Sequence, residues 1–296
     1  MKYLEKHPMI MIVIGILGIS LSSIFVKYSF APSAVTAAYR LCWTVLLMTP
    51  AVLGSSEIRR EIRKLPGKIL GLSIASGIFL AIHFVLWFES LGHTTVASST
   101  TIVCTEVIWV ALGYCLLMKG RISRKAAVAI GVTVGGSVLV ALGDSTSGGR
   151  HLYGDVLALL AAVAVAAYTL IGRQVRKNVS TSAYTYIVYL SCAAVLLLTC
   201  IAKGQSMTGY GISAVIVGLL LAVFSTILGH SIFSWCLKFF SPAFVSASKL
   251  LEPVVAAMLA SVLFGEIPGI SQFIGSGMIL GGVYGYARLE RTEESE

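Results

Sequence analysis

The sequence has few charged residues and none of the common motifs of hydrolytic or nucleotide-binding enzymes. Lys, Arg, Asp and Glu make up 12% of the 296 residues, whereas soluble domains have roughly 25%. Hydrophobic residues make up 57%. No HExxH, Walker A, GxSxG or EF-hand pattern is present. One aqueous core could not absorb this much apolar surface, so the composition excludes an ordinary soluble protein. Any transport would have to use a gradient rather than ATP.

The cysteines do not indicate a specific chemical role. The chain has 6 of them, all within apolar stretches, and no CxxC pair. This spacing indicates neither a disulfide framework nor a zinc site. We therefore expect no metal and no cofactor.

Ten segments are apolar and long enough, or nearly so, to cross a bilayer as helices of about 20 residues. They cover roughly residues 8–28, 32–53, 67–89, 94–118, 124–142, 153–172, 182–202, 211–236, 242–264 and 268–288. Several begin at a proline, such as Pro8 and Pro242, which is typical of the first helical turn. The pattern predicts an all-α integral membrane protein with ten transmembrane helices, and the lipid bilayer as its surroundings.

Basic residues accumulate in alternate loops. With the N-terminus inside, the inner loops would hold the clusters at 59–68 and 119–125. The outer loops would hold only Arg150 and Lys203, with Lys27 at an outer helix end. This asymmetry predicts a multi-pass protein of the cell (inner) membrane with both termini cytoplasmic. The net charge of +9 is thus explained by topology, and nucleic acid is not an expected partner.

The chain contains a weak internal repeat. One constant shift aligns Glu106 with Glu252 and the glycine run at 131–136 with the run at 277–282. A copy with five helices must be followed by a copy that is inverted in the membrane. Inverted repeats are typical of alternating-access carriers, which bind their substrate near the midplane between the halves.

The repeat predicts the domain organisation. We expect a first five-helix repeat over residues 1–147, a second, inverted repeat over 148–290, and a short charged cytoplasmic tail over 291–296. The glycine runs have small-xxx-small spacing, which lets two helices approach closely. We expect the fifth and tenth helices to pack together; a homodimer formed through them is the alternative.

Glu106 and Glu252 are the strongest candidate site residues. At 1.5 Å per residue they lie about 18 Å and about 15 Å into their segments, near the middle of a core about 30 Å thick. Burying an acid there costs at least about 2.5–3.5 kcal/mol, so an embedded acid indicates a function by default. We expect both to bind a proton or a polar group of the substrate. Lys249, one turn before Glu252, is expected to line the cavity as a partner of the glutamates. The alternative is structural, in which Lys249 only neutralises Glu252.

Four further side chains are expected to line the same cavity. His83 and Trp87 are one turn apart in the third segment, and His230 lies in the eighth. A histidine can titrate near neutral pH and a tryptophan offers a flat wall, although Trp87 could instead be an interfacial anchor. Arg40, about 12 Å into the second segment, could bind a carboxylate substrate or neutralise one of the glutamates. Pro253 is expected to kink the ninth helix and free a carbonyl, with a tolerated packing kink as the alternative.

Two stretches resemble a known family. They are HFVLWFESLGHTTVASS (83–99) and GHSIFSWCLKFFSPAFVSASKLLEPVVAAMLASVLFGE (229–266), and they resemble the EamA family of the drug/metabolite transporter superfamily. The resemblance covers nearly the whole chain, and LEP at 251–253 is among its most specific parts. The first repeat departs from the pattern, because Glu106 has no following proline and Lys119-Gly120-Arg121 stands where the family often has Gly-Glu.

The resemblance implies a secondary carrier, often an exporter of amino acids or other metabolites, with a central cavity between two halves. The residues and the resemblance together predict a gradient-driven transporter of a small polar metabolite, with the proton as a candidate partner. A proton- or ion-conducting channel is the alternative. A membrane enzyme or a lipid-binding scaffold is disfavoured, since no nucleophile–base pair is visible at helical spacing.

Overall fold

The computed structural model describes residues 8–94, 96–144, 152–252, 254–255 and 270–293, and these ranges are helical, without a strand. The helices are α1 (Pro8–Ser20), α2 (Ser22–Lys27), α3 (Ser33–Gly54), α4 (Ser56–Arg63), α5 (Gly67–Ser90), α6 (Val96–Cys104), α7 (Glu106–Met118), α8 (Arg124–Asp144), α9 (Leu152–Arg176), α10 (Thr181–Ala202), α11 (Gly211–Leu220), α12 (Ile232–Cys236), α13 (Pro242–Lys249) and α14 (Ile270–Glu293). A π-helical segment, Leu221–Ser231, joins α11 to α12 in one continuous rod.

Six helical rods in the described chain are long and apolar enough to cross a membrane. They are Pro8–Val26, Ser33–Gly54, Gly67–Ser90, Leu152–Arg176, Thr181–Ala202 and Gly211–Cys236. Large apolar side chains are exposed along their outer faces, among them Leu46, Leu198 and Ile216. An exposed apolar belt of this kind is unfavourable in water and is expected of helices that face lipid.

Contacts between helix ends define two opposite ends of the bundle. At one end the Ser180 amide and hydroxyl donate to the Glu61 carboxylate, at 2.7 and 2.5 Å. At the other end the Lys203 ammonium lies 3.8 Å from the Glu89 carboxylate. Glu61 and Ser180 precede α5 and α10, and Glu89 and Lys203 lie at the C-terminal ends of the same two helices. These two helices therefore cross the bundle in the same direction.

Two helices are interrupted directly before a glutamate. Before Glu106, the Thr105 amide bonds to the carbonyl three residues back, at 3.0 Å, instead of four residues back. Before Glu252, the Leu250 and Leu251 amides do the same, at 3.1 and 3.2 Å. Such tightened turns end one helical stretch and begin another. Sequence analysis predicted a kink only at Pro253, which lies outside the described residues; the break before Glu106 occurs without any proline.

The predicted packing of the two glycine-rich helices is confirmed, because α8 and α14 cross closely. A Cβ added to Gly136 would lie 2.7 Å from the Gly275 carbonyl oxygen, and one added to Gly282 would lie 2.9 Å from that of Ala129. Only glycine allows this approach. The remaining glycines of the two runs have more room: Gly131, Gly135, Gly277, Gly281 and Gly285.

Six of the ten predicted segments are rods long and apolar enough to cross a membrane, and ten transmembrane helices stay a prediction. Segments 94–118 and 242–264 are interrupted, at Thr105 and after Lys249, and one short helix was not predicted. The basic cluster at 59–68 was expected to be a loop, but its first part forms the short helix α4. Ser55 caps this helix by accepting a hydrogen bond from the Ile58 amide at 3.3 Å. Ile58, Ile62 and Leu65 follow the helical i, i+4, i+7 spacing and pack against the core. This short apolar stripe and the capping residue were the signals that sequence analysis missed.

Candidate functional site

A central cavity of about 60 Å³ is lined by residues of the π-helical segment and of the helices α1, α2, α3, α5, α6, α7, α9, α12 and α13. This volume holds a few water molecules. All the predicted site residues line it: Arg40, His83, Trp87, Glu106, His230, Lys249 and Glu252. They come from both halves of the sequence and meet at one place. Their role in binding a substrate stays a prediction.

Glu106 and Lys249 form a buried ion pair across the two halves. The Lys249 ammonium donates to the Glu106 carboxylate at 2.8 Å, and the two side chains are only 11% and 6% exposed. Glu106 is the first residue of α7, where the positive end of the helix dipole favours a carboxylate. The ammonium also lies 5.5 Å from the centre of the Phe233 ring. Glu106 is thus held by its helix and by its partner.

The predicted alternative was an ion pair of Lys249 with Glu252, but the direct ion pair in the structure is with Glu106. That prediction assumed an unbroken helix, in which residues three apart share a face. Instead α13 ends at Lys249, and the tightened turn that follows lets the lysine reach Glu106. Glu252 lines the same cavity and forms no hydrogen bond with any residue that the structure describes.

Arg40 forms no direct ion pair with Glu106 or Glu252; such a pair was the alternative to binding a carboxylate substrate. Its side chain is 1% exposed, and its Nε donates to the Thr226 hydroxyl at 2.7 Å. The guanidinium carbon lies 4.3 Å from the centre of the Phe84 ring. Neither terminal nitrogen has a hydrogen-bond partner within the described ranges. The arginine is therefore a buried cation whose two terminal nitrogens have no partner in that part of the protein.

His83 and Trp87 form one aromatic wall. Their rings stack at 5.8 Å with an interplanar angle of 19°. The His83 Nδ1 is 3.0 Å from the Ala161 carbonyl, which can only accept, so Nδ1 carries a hydrogen and the neutral ring keeps Nε2 as an acceptor. Trp87 is 6% exposed and lines the cavity, so the interfacial-anchor alternative is wrong.

His230 lies in the π-helical segment and contacts two aromatic rings by its edge. The ring centres of Phe84 and Tyr168 are 5.5 and 6.0 Å away. Its Nδ1 has no hydrogen-bond partner in the described part of the chain. His230 is therefore held by packing, and its polar atom is available to a ligand or to water.

Unsatisfied polar atoms concentrate around this cavity. Buried polar groups in proteins normally have a hydrogen-bond partner. Most of the exceptions among the described residues belong to side chains that line the cavity: Ser22 Oγ, Arg40 Nη1 and Nη2, Trp87 Nε1, Thr100 Oγ1, Ser225 Oγ, His230 Nδ1 and Ser246 Oγ. A bound polar solute, or water, would satisfy them. Sequence analysis missed the Ser and Thr residues, whose only signal was polarity within apolar spans.

No metal centre is indicated where the structure is described. Those residues include no group of three or more His, Cys, Asp or Glu side chains placed to hold an ion. The cavity carries carboxylates, cations and imidazoles on an otherwise apolar wall.

Comparisons with known proteins give one consistent match. The sequence model of the EamA-like transporter family matches residues 152–288. An "Uncharacterized transporter" of Clostridium kluyveri is 23% identical over 275 residues, which is 90% of this chain and 88% of that protein. "Uncharacterized transporter YxxF" of Bacillus subtilis is 24% identical over 283 residues, or 94% and 87% of the two chains.

A solved structure, described only as "Crystal structure of protein", shares the fold. It superposes with a TM-score of 0.79 at 18% sequence identity. The match covers 98% of this chain and 99% of that one. At this identity the likeness concerns the fold alone.

Proposed function

The chain is related to the EamA-like transporter family, and from this premise we propose that it is a gradient-driven exporter of a small polar metabolite, with an amino acid as its cargo. The family match, the relatives and the apolar helices indicate a multi-pass membrane transporter rather than an enzyme. The observation that carries the finer proposal is the central cavity, which joins charged groups from both halves of the chain.

The charges of the cavity support a zwitterionic cargo. Glu106 and Lys249 neutralise each other at 2.8 Å. Arg40 and Glu252 line the same cavity, and neither forms an ion pair with a described residue. An amino acid carries a carboxylate for the first and an ammonium for the second. Apolar lining residues such as Val165 would accept its carbon chain.

Two inverted repeats of five helices, ten helices in all, would provide the moving parts. The repeat alignment supports this, because the matched residues Glu106 and Glu252 each follow an interrupted helix. Interrupted helices near the midplane are characteristic of secondary transporters. Rocking of residues 1–147 against 148–290 would then open the cavity to each side in turn.

The cytoplasmic end would be the one where Glu61 meets Ser180. The helix α4 at this end carries Arg59, Arg60 and Arg63. The opposite end has Lys203 paired with Glu89. The excess of basic residues supports a cytoplasmic location for the first end and for both termini.

The proposal is tested by counterflow in proteoliposomes that contain the full chain. Liposomes preloaded with each amino acid in turn receive a trace of the same labelled amino acid outside. A carrier accumulates the label transiently and saturably. The channel alternative predicts gradient-driven flux without counterflow or saturation, and the absence of counterflow for every solute would reject the amino-acid cargo. The exposed variant Glu57→Gln, on α4, is the matched control and should behave as the wild type.

A further inference from the structure

We propose that Arg40 is a two-pronged clamp for a carboxylate, and that Thr226 is the residue that positions it. The idea that this carboxylate belongs to the transported solute rests on the proposed function, whereas carboxylate binding at this site can be tested without transport. Thr226 lies in the π-helical segment and was not among the predicted site residues.

The geometry of the guanidinium indicates a ligand at the edge that carries its two terminal nitrogens. Its Nε is engaged by the Thr226 hydroxyl at 2.7 Å, and its face lies on Phe84. One edge and one face are thus occupied by protein. The remaining edge presents Nη1 and Nη2, both buried and both without a hydrogen-bond partner in the described chain. Two parallel N–H donors on one edge match the two oxygens of a carboxylate.

Neither glutamate of the cavity is the carboxylate that Arg40 binds. Glu106 is taken by Lys249, and Glu252 makes no ion pair with Arg40. A buried cation without a counter-charge is unfavourable, and a ligand carboxylate would relieve that cost. Because Arg40 lines the central cavity, a ligand there would lie beside the guanidinium.

Thr226 fixes the plane of the clamp. Its hydroxyl hydrogen is directed to the Leu221 carbonyl at 3.3 Å, so its oxygen is left to accept from the Arg40 Nε. The contact joins residues 186 positions apart. Loss of the hydroxyl would free the guanidinium to rotate over Phe84, and the two terminal nitrogens would no longer be held toward one ligand. Thr226 acts through Arg40 and is a positioning residue.

The test is thermal unfolding of the purified full chain in detergent, with acetate as the probe. A ligand that binds only the folded protein raises Tm with its concentration, and the dependence gives an apparent Kd. Sodium acetate is compared with sodium chloride at equal ionic strength and with neutral acetamide. We expect acetate to stabilise the wild type beyond chloride, and acetamide to have no effect.

The variants separate the clamp from a structural role. Arg40→Gln should abolish the acetate-specific shift, and the exposed control Arg60→Gln should keep it. Thr226→Val should raise the apparent Kd for acetate roughly tenfold, whereas Thr226→Ser should keep it, since serine restores the acceptor. A merely structural threonine would lower the basal Tm without changing the acetate dependence. If Arg40→Gln fails to fold, the threonine pair carries the same test.

Three outcomes would overturn the clamp: acetate no better than chloride on the wild type, an acetate shift that survives Arg40→Gln, or an apparent Kd for acetate that Thr226→Val leaves unchanged. These failures are distinct from failure of the proposed function. An intact, Arg40-dependent acetate shift without counterflow of any solute would reject transport and keep the clamp. Counterflow without any acetate-specific shift would reject the clamp and keep the transport proposal.

Discussion

Glu106 and Glu252 occupy matching positions in the two halves, but their surroundings differ. Each follows an interrupted helix and lines the central cavity. Glu106 is paired with Lys249 at 2.8 Å, whereas Glu252 has no hydrogen-bond partner among the described residues. One glutamate links the two halves of the sequence through a charge pair, and the other has no such pair among the described residues.

The largest effect should come from breaking the charge pair. Lys249→Met leaves the Glu106 carboxylate buried without a partner, which costs about 3–5 kcal/mol of unfolding free energy. The double variant with Glu106→Gln removes both charges and should recover most of this loss. Denaturant unfolding in micelles measures both. If the single and double variants are equally unstable, the pair is not the link that we describe.

Glu252→Gln should be far milder, because no partner is stranded. We expect the unfolding free energy to change by less than about 1.5 kcal/mol, in the range of a single unpartnered polar group. The same denaturant titration checks this value against Lys249→Met. A loss as large as that of Lys249→Met would mean that Glu252 is also a structural residue, and the contrast between the two glutamates would fail.

The helices α8 and α14 cross closely at glycines, and this contact joins the two halves of the sequence without charged groups. Gly136→Val would drive a side chain into the Gly275 carbonyl, and overpacking of this kind costs about 1–3 kcal/mol. Gly281→Ala is the matched control, because nothing lies within 4 Å of its Cβ. Thermal unfolding compares the two. Equal stability of both variants would contradict the close crossing.

The smallest effect is expected at the exposed pair of Lys203 and Glu89. Its atoms are 3.8 Å apart and its side chains are 42% and 35% exposed, in contrast to the buried pair. Exposed pairs contribute roughly 0–1 kcal/mol. Lys203→Gln should therefore leave Tm nearly unchanged. A loss of stability as large as that of Lys249→Met would show that burial does not determine how much each ion pair contributes.

Sequence periodicity and charge predicted much of this architecture. The apolar segments predicted the helices, and the glycine runs predicted the crossing of α8 and α14. The internal repeat brought Glu106 and Glu252 to one cavity. Each of these features depends on local composition or on one alignment, and both are visible in a single sequence.

The pairings within the cavity could not be predicted in the same way. Lys249 pairs with Glu106, 143 residues away, rather than with Glu252 on its own segment. Arg40 bonds to Thr226 on the π-helical segment. These pairings depend on where a helix is interrupted and on how the two halves of the chain are positioned against each other. Both are tertiary effects, and neither has a local signal in the sequence. The interruption before Glu106, which lacks a proline, belongs to the same class.

The most direct test of the account is amino-acid counterflow by Glu252→Gln in proteoliposomes. Glutamine is close to glutamate in size but cannot carry the negative charge that would bind the ammonium of the cargo. The variant should therefore lose saturable counterflow, while the wild type and Glu57→Gln keep it. Counterflow by Glu252→Gln with wild-type rate and affinity would contradict the assignment of Glu252 as a group that binds the cargo.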